Sequence, residues 1–509
     1  MMNKVFEQIE WSLLTPETTI IAGIVLLLLT DLVLPASISR RWFGFIGLAS
    51  ILGSLAFVVS QLPLKPAEIL FGTYRLDPMS LVFKLLFLTA TALILLVAMD
   101  RKKGDKTDRY IAEEYILMLS ALLGAMFLAS SVDVITLFIG LELLSISSYI
   151  LVGMRKHERL STEAGWKYVI YGGVSSAFFL YGYSFLYGLS GTTNLFTLGQ
   201  SLAEVVQSTQ SDLFIVASLC LMLVGFAFKI SLAPFHMWAP DVYQGASSPV
   251  ASFLAVVSKA AGILFLIRFL LIGMYPLLRS EVWGENIMWA LAILAAVSMI
   301  VGNTVALRQQ NVKRILAYSG IAQAGYLFII FPSLQSNLIF VSVGFYLVVY
   351  MLMTIGAFAI VHVVSKDTGN EELTSFDGLV RRSPGLAIAM TLFLFSLAGI
   401  PLTAGFIGKV NLSLNTFASG QMWLLISTLL VTTVISYYYY FRIVQRMFVE
   451  KATSDQKVPI SFFSALTILV VVLGTIGFGI MPDLLLSKLE TVKWGYGLIP
   501  LEGIQQLKN

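Results

Sequence analysis

The sequence predicts an all-α integral membrane protein of about fourteen transmembrane helices. Three observations lead there: a shortage of charge, apolar runs of spanning length from end to end, and basic residues gathered in alternate loops. Of 509 residues, 57% are hydrophobic and 12% are charged, whereas soluble domains carry about 25% charged residues. No polar stretch is long enough to form a separate soluble domain. Roughly 20 apolar residues cross a bilayer core. By that measure spans fall near 17–35, 42–62, 78–98, 113–130, 132–153, 165–189, 212–234, 248–274, 286–307, 312–332, 336–364, 386–411, 421–441 and 460–482.

The loops test this division independently, because Lys and Arg collect on the cytoplasmic side. Arg40 and Arg41 follow the first span, and Arg101, Lys102, Lys103, Lys106 and Arg109 follow the third. Arg155, Lys156 and Arg159 follow the fifth; Arg308, Lys313 and Arg314 the ninth; Lys366, Arg381 and Arg382 the eleventh; Arg442, Arg446, Lys451 and Lys457 the thirteenth. The one odd loop without basic residues follows the seventh span, and the even loops hold only Lys65, Arg75 and Arg279. The odd loops are therefore expected in the cytoplasm, with both termini on the opposite side of the cell's inner (plasma) membrane. The first fourteen residues lack the basic start and cleavage site of a signal peptide, so the first apolar run is expected to be a retained helix.

Several function classes drop out. A net charge of +4, sorted by loop, argues against a nucleic-acid binder. A single cysteine, Cys220, excludes an internal disulfide and an all-cysteine metal site. His157, His236 and His362 lie too far apart in sequence for metal-ligand spacing. There is no dinucleotide fingerprint and no phosphate-binding loop.

The informative residues are ionisable groups inside the spans, where a central charge costs at least ~2.5–3.5 kcal/mol. Four stand out: Glu142 in LFIGLELLSIS, Lys229 in VGFAFKISLAP, Lys259 in AVVSKAAGIL and Lys409 in AGFIGKVNL. Desolvation weakens a lysine's hold on its proton and strengthens a carboxylate's, so such groups can trade protons near neutral pH. A lysine whose acidic partner moves is a proton switch. The competing readings are a helix-locking ion pair for Glu142 with Lys229 and snorkelling to the outer interface for Lys409. Lys167, near the start of the sixth span, is a snorkelling anchor or the mouth of a pathway, and Arg268 is expected to be an interfacial anchor.

Two prolines mark helix breaks. Pro234 cannot donate to the carbonyl of Ile230, beside Lys229, and Pro401 lies among Gly399, Gly405 and Gly408. Broken helices point to ion paths in transporters, although a packing kink gives the same pattern. Ser145, Ser148, Tyr171, Ser175, Ser319, Gln323 and Tyr326 are candidates to hold water between the charges. Spans four to eight and nine to thirteen form two five-span units, and an odd number inverts one relative to the other. The expected division is 1–110 (three leading helices), 111–275 (first repeat), 285–450 (second, inverted repeat) and 455–509 (last helix and tail), with the seventh and twelfth helices broken.

At PFHMWAPDVYQGASSPVASFLAVVSKAAG (Pro234–Gly262) and FSLAGIPLTAGFIGK (Phe395–Lys409) the sequence resembles the antiporter-like subunits of respiratory complex I (NADH–quinone oxidoreductase), and within them the subunit N (subunit 2) type. The resemblance runs from about residue 75 to 485. It implies a proton-translocating membrane-arm subunit driven by quinone reduction elsewhere in the complex. Glu142 would be the carboxylate paired with Lys229, Lys259 the central relay, Lys409 the terminal site towards the outer exit, and Lys167 the family's span-six lysine. It further implies that NADH, FMN, iron–sulfur clusters and quinone belong to other subunits, with no cofactor or metal on this chain. Neighbouring membrane-arm subunits would be its partners. GASSP departs from the family's frequent G-x-P-T-P, which affects a loop. The alternatives are a subunit of a multisubunit Na⁺/H⁺ antiporter, which shares the fold, and a structural subunit without transport.

Overall fold

The computed structural model describes residues 10–34, 42–101, 110–205, 212–331, 338–418, 423–452, 456–492 and Trp494. Arg40, Arg41, Lys102, Lys103, Lys106 and Arg109 of the basic loops lie outside these residues. The principal helices are α1 (Thr15–Val33), α2 (Trp42–Gln61), α3 (Pro78–Ala98), α4 (Ile111–Ser130), α5 (Val134–Gly153), α6 (Arg159–Ser190), α7 (Asp212–Ile230) and α8 (Trp238–Gly245), with further helical segments such as Leu195–Val205 between them. They continue with α9 (Ser248–Gly273), α10 (Glu281–Ala306), α11 (Val312–Phe328), α12 (Leu338–Thr368), α13 (Pro384–Ala398), α14 (Ala404–Ala418), α15 (Trp423–Phe448) and α16 (Phe462–Ile480). Among the described residues, twelve of these are long and apolar enough to cross a membrane. The other two expected spans are α11, of 17 residues, and the 386–411 stretch, which is divided between α13 and α14. A two-stranded hairpin, Ala67–Ile69 with Tyr74–Leu76, precedes α3.

Helix starts follow from local chemistry. Asp77 caps α3 by accepting from the Ser80 N–H at 2.7 Å, and Asp133 and Asn311 cap α5 and α11 in the same way. Each satisfies an orphan N–H that lipid cannot. Pro78, Pro249 and Pro384 occupy first turns, where a missing N–H costs nothing. α9 is wholly buried and α12 nearly so. Leu430, Val431 and Val434 on α15, and Leu469, Leu473 and Ile480 on α16, are exposed and form part of an apolar belt. Apolar surface of this extent needs a lipid solvent. The chain is a multi-pass membrane protein.

Two sets of backbone contacts recur along the chain. A Cβ on Gly124 would meet the Gly140 carbonyl and the Leu144 N–H, both at 2.6 Å, so α4 and α5 touch backbone to backbone. Gly302 stands in the same relation to the Tyr318 carbonyl and Ala322 N–H between α10 and α11. Val134 N–H donates to Thr193 O and Leu195 N–H to Val132 O, tying the start of α5 to the segment after α6. Val312 N–H donates to Glu371 O and Leu373 N–H to Gln310 O, tying the start of α11 to the segment after α12. All these pairs recur at one constant spacing along the chain.

Candidate functional site

The centre of the molecule holds three buried lysines, each at an irregular point of a helix. Lys229 is in the last turn of α7, which stops at Ile230. Ser231 has positive φ (61°), its N–H donates to Phe228 O and the Leu232 N–H to Ala227 O. Residues 231–237, with Pro234 among them, are not helical and lead into α8. The freed backbone groups are met by protein: Trp238 Nε1 donates to Phe228 O at 3.0 Å and Ser231 Oγ to Ile230 O at 2.6 Å. Ser298 Oγ accepts from Ala233 N–H at 2.9 Å.

Lys229 donates to Ser145 Oγ at 2.9 Å. Its stem runs against Gly262 of α9, where a Cβ would lie 3.1 Å from Lys229 Cγ. Glu142, three residues before Ser145, is half-buried and accepts from Ser176 Oγ at 2.5 Å. Glu142 and Lys229 lie beyond ion-pair distance, and Ser145 is the direct partner of the lysine. From there a polar line leads inward. Tyr149 meets Tyr168 edge-on at 4.6 Å, and Tyr168 lies beside Ser258. The hydroxyls of Tyr168 and Ser258 are buried without a protein hydrogen-bond partner, which is where ordered water is found in protein interiors.

Lys259 directly follows a π-helical turn, Leu254–Ser258, a widening often found at functional positions. Its ammonium donates to Gly320 O of α11 at 2.5 Å and lies 5.8 Å from the centre of the Tyr350 ring. Beyond it, Ser319 Oγ is 2.5 Å from Tyr440 OH, and Gln323 accepts from Tyr346 OH and donates to Leu397 O at 2.9 Å. Leu397 O also accepts from Lys409 Nζ at 3.1 Å, as does Ala398 O at 3.1 Å. Gln323 and Lys409 thus meet on one carbonyl.

Lys409 does not snorkel. It belongs to α14 but leans back across the 399–403 interruption, which contains Pro401, to cap α13. The orphan carbonyls and negative dipole end of α13 favour a cation there. Tyr326 presents its ring 4.4 Å from the ammonium. Lys229 closes the helix before its break, whereas Lys409 starts from the helix after its own.

Other expectations change. Lys167 lies away from this line, partly exposed, in ion pairs with Glu163 (2.8 Å) and Asp241 (2.6 Å), and Asp241 also binds Arg314 (2.5 Å). Tyr171 is exposed on the outer side of α6. Arg268 is no interfacial anchor: it is fully buried, and its Nη2 donates to both carboxylate oxygens of Asp77 at 2.9 Å. Lys84 was missed altogether, although a lysine inside PMSLVFKLLFL meets the same rule that found the others. It pairs with Glu17 at 2.7 Å and donates to Tyr74 OH at 2.7 Å. Lys313 likewise pairs with Glu371 at 2.7 Å. Tyr346, which donates to Gln323, and Tyr440, which meets Ser319, carry no linear motif and could not be read from spacing.

The family described as NADH:quinone oxidoreductase/Mrp antiporter, TM, matches residues 131–436, which contain Glu142, Lys229, Lys259 and Lys409. NADH-quinone oxidoreductase subunit N of Brevibacillus brevis is 42% identical over 489 residues, covering 94% of this chain and 95% of the relative. The chain belongs to the NADH-quinone oxidoreductase subunit N family. Its fold matches a chain of respiratory complex I from Thermus thermophilus, with a TM-score of 0.77, 31% identity and coverage of 93% and 99%. A chain of the Mrp complex from a Dietzia species shares the fold alone, with a TM-score of 0.79 at 19% identity, covering 97% of this chain and 99% of that one. As a subunit N family member, the chain is a membrane subunit of an oxidoreductase complex. Among the described residues, no three His, Cys, Asp or Glu side chains gather as metal ligands.

Proposed function

We propose that this chain carries protons along Glu142, Lys229, Lys259 and Lys409 while quinone is reduced elsewhere in the complex. One contrast carries the reading. Among the described residues, the other buried cations are each neutralised by a carboxylate: Lys84 by Glu17, Arg268 by Asp77, Lys313 by Glu371 and Arg382 by Asp367. Among the described residues, Lys229, Lys259 and Lys409 have no carboxylate within ion-pair distance and rest on a hydroxyl or on backbone carbonyls. A permanently charged ammonium without a counter-ion is expensive in such surroundings. A hydroxyl turns from acceptor to donor, so Ser145 serves both the charged and the neutral amine. These are the surroundings of a group that changes its charge.

On this reading the basic loops lie in the cytoplasm of a cell whose inner membrane holds the complex, with the termini outside. The units 111–275 and 285–450 are inverted repeats, which the recurrent glycine contacts and backbone ties support. NADH, FMN, iron–sulfur clusters and quinone are bound by other subunits, and neighbouring membrane-arm subunits cover the apolar flanks. Lys167 serves at the cytoplasmic rim through Asp241. A Na⁺/H⁺ antiporter reading rests on the shared fold, whereas the 42% relative carries the subunit N name. The deciding experiment replaces Lys229 or Lys259 with Ala in the assembled complex and measures protons moved per NADH oxidised. The expected result is loss of pumping with the complex intact; unchanged pumping refutes the relay.

A further inference from the structure

At the basic face, a cavity of about 660 Å³ opens between the ends of α3, α9 and α12, lined among others by Asp100, Glu114, Glu158, Ser248 and His362. Ser248 and Pro249, which line this cavity, also line a crevice where Ile94 and Val97 of α3 meet Ile355, Phe358 and Ala359 of α12. Ser248 lies at the top of this collar and Ser252, one turn further along α9, at its lower edge. The crevice is too tight to admit a water molecule. On its far side polar groups resume. Ser252 and Thr354 are 3% and 4% exposed, and neither hydroxyl has a protein hydrogen-bond partner. Tyr350, Thr354, Phe358 and His362 fall four residues apart on α12 and share one stripe. The stripe ends at Tyr350, whose ring faces the Lys259 ammonium. Ser252 precedes Lys259 by seven residues, a rise of ~10 Å.

A polar cavity, an apolar pinch and a second set of unsatisfied buried hydroxyls thus follow one another on a line to Lys259. Orphan hydroxyls are satisfied by water in protein interiors, so this line is wet when the pinch is wide and dry when it is closed. We propose that the collar around Phe358 is a hydrophobic gate, which feeds protons from the cytoplasmic cavity to Lys259 when α9 and α12 part. Apolar constrictions of this kind close by expelling water. A permanently open line would connect Lys259 to the cytoplasm at every stage and dissipate the gradient. The pinch prevents this. The inference rests on the proton reading of Lys259 and adds a controlled entrance to it.

Two opposite variants test the gate in vesicles containing the assembled complex. Phe358→Ala widens the collar and is expected to raise passive decay of an imposed pH gradient several-fold. Adding Lys259→Ala to that variant should abolish the extra leak, since the line then has no acceptor at its end. Ala359→Leu fills the crevice and is expected to lower protons moved per NADH several-fold with assembly preserved; this variant carries the test if Phe358→Ala does not assemble. No leak with Phe358→Ala, together with normal pumping by Ala359→Leu, overturns the gate. A leak that survives in the double variant overturns its connection to Lys259. Lys259→Ala alone separates the two ideas: if it abolishes pumping while the gate variants behave as the parent, the relay stands and the gate falls.

Discussion

The buried pair Lys84–Glu17 gives the sharpest test of the distinction between structural and working charges. Lys84 is 0% and Glu17 1% exposed, and Tyr74 OH touches both, accepting from Lys84 at 2.7 Å and donating to Glu17 at 3.0 Å. Replacing Lys84 with Met leaves a bare carboxylate between α1 and α3. Removing one member of a buried pair costs about 3–5 kcal/mol, enough to detach the leading helices from the rest. Replacing both, with Glu17→Leu and Lys84→Met, removes the stranded charge. Volume-matched apolar substitution of this kind is often neutral or stabilising by about 1–4 kcal/mol. Tyr74→Phe must accompany it, because the phenol would otherwise lose both partners. Thermal unfolding of the purified complex, followed by tryptophan fluorescence, reads the result: a marked drop for the single variant and recovery for the triple. Pumping should also return in the triple variant, because this pair holds helices together. A single variant as stable as the parent, or a triple variant less stable than the single, refutes the reasoning.

Further outcomes follow from the same geometry. Ser145→Ala removes the direct partner of Lys229; a hydrogen bond to a charged group contributes about 1.5–3 kcal/mol, so pumping should slow roughly tenfold or more without loss of assembly. Gly262→Ala places a Cβ 3.0 Å from Ile230 Cγ1 and 3.1 Å from Lys229 Cγ, and pumping assays should show it shifting Lys229 and impairing transport, whereas Gly477→Ala, which meets nothing within 4 Å, should not. Burial works against the Asp100 carboxylate, but hydrogen bonds from Lys366 and Ser464 outweigh it and hold its pKa below the ordinary value. A depressed carboxyl stabilises the fold above the usual carboxylate pKa and loses that contribution as pH falls through the folded value. The tie between α3, α12 and α16 should therefore weaken only in strong acid, and Asp100→Asn should flatten that part of the pH–stability curve.

Much of this architecture was legible because lipid restricts the options. An apolar run of spanning length has to be a helix, and Lys229, Lys259 and Lys409 stand out because lysine is rare in such runs. The breaks announced themselves through Pro234 and Pro401. What the sequence hid depends on rotation about helix axes. Tyr171 and Ser145 lie in similarly apolar contexts, yet one faces outward and the other meets Lys229. Arg268 reads as an anchor until Asp77, distant in sequence, is seen to fold onto it. The nearest partner of Lys229 turned out to be Ser145, one turn beyond the carboxylate that motif reasoning selected. Lys409 was ambiguous because its role depends on the direction its side chain takes across a gap.

The two backbone ties, Val132–Leu195 and Gln310–Leu373, fasten corresponding corners of the two units proposed above to be inverted repeats. On that proposal each tie fixes a pivot, and the pivots lie on opposite surfaces. A lever hinged at its upper end and another hinged at its lower end respond to one sideways push by parting at contrary ends. A single lateral displacement of the central helices α9 and α12 could in this way loosen the interior towards one surface while tightening it towards the other, with neither half changing its internal shape.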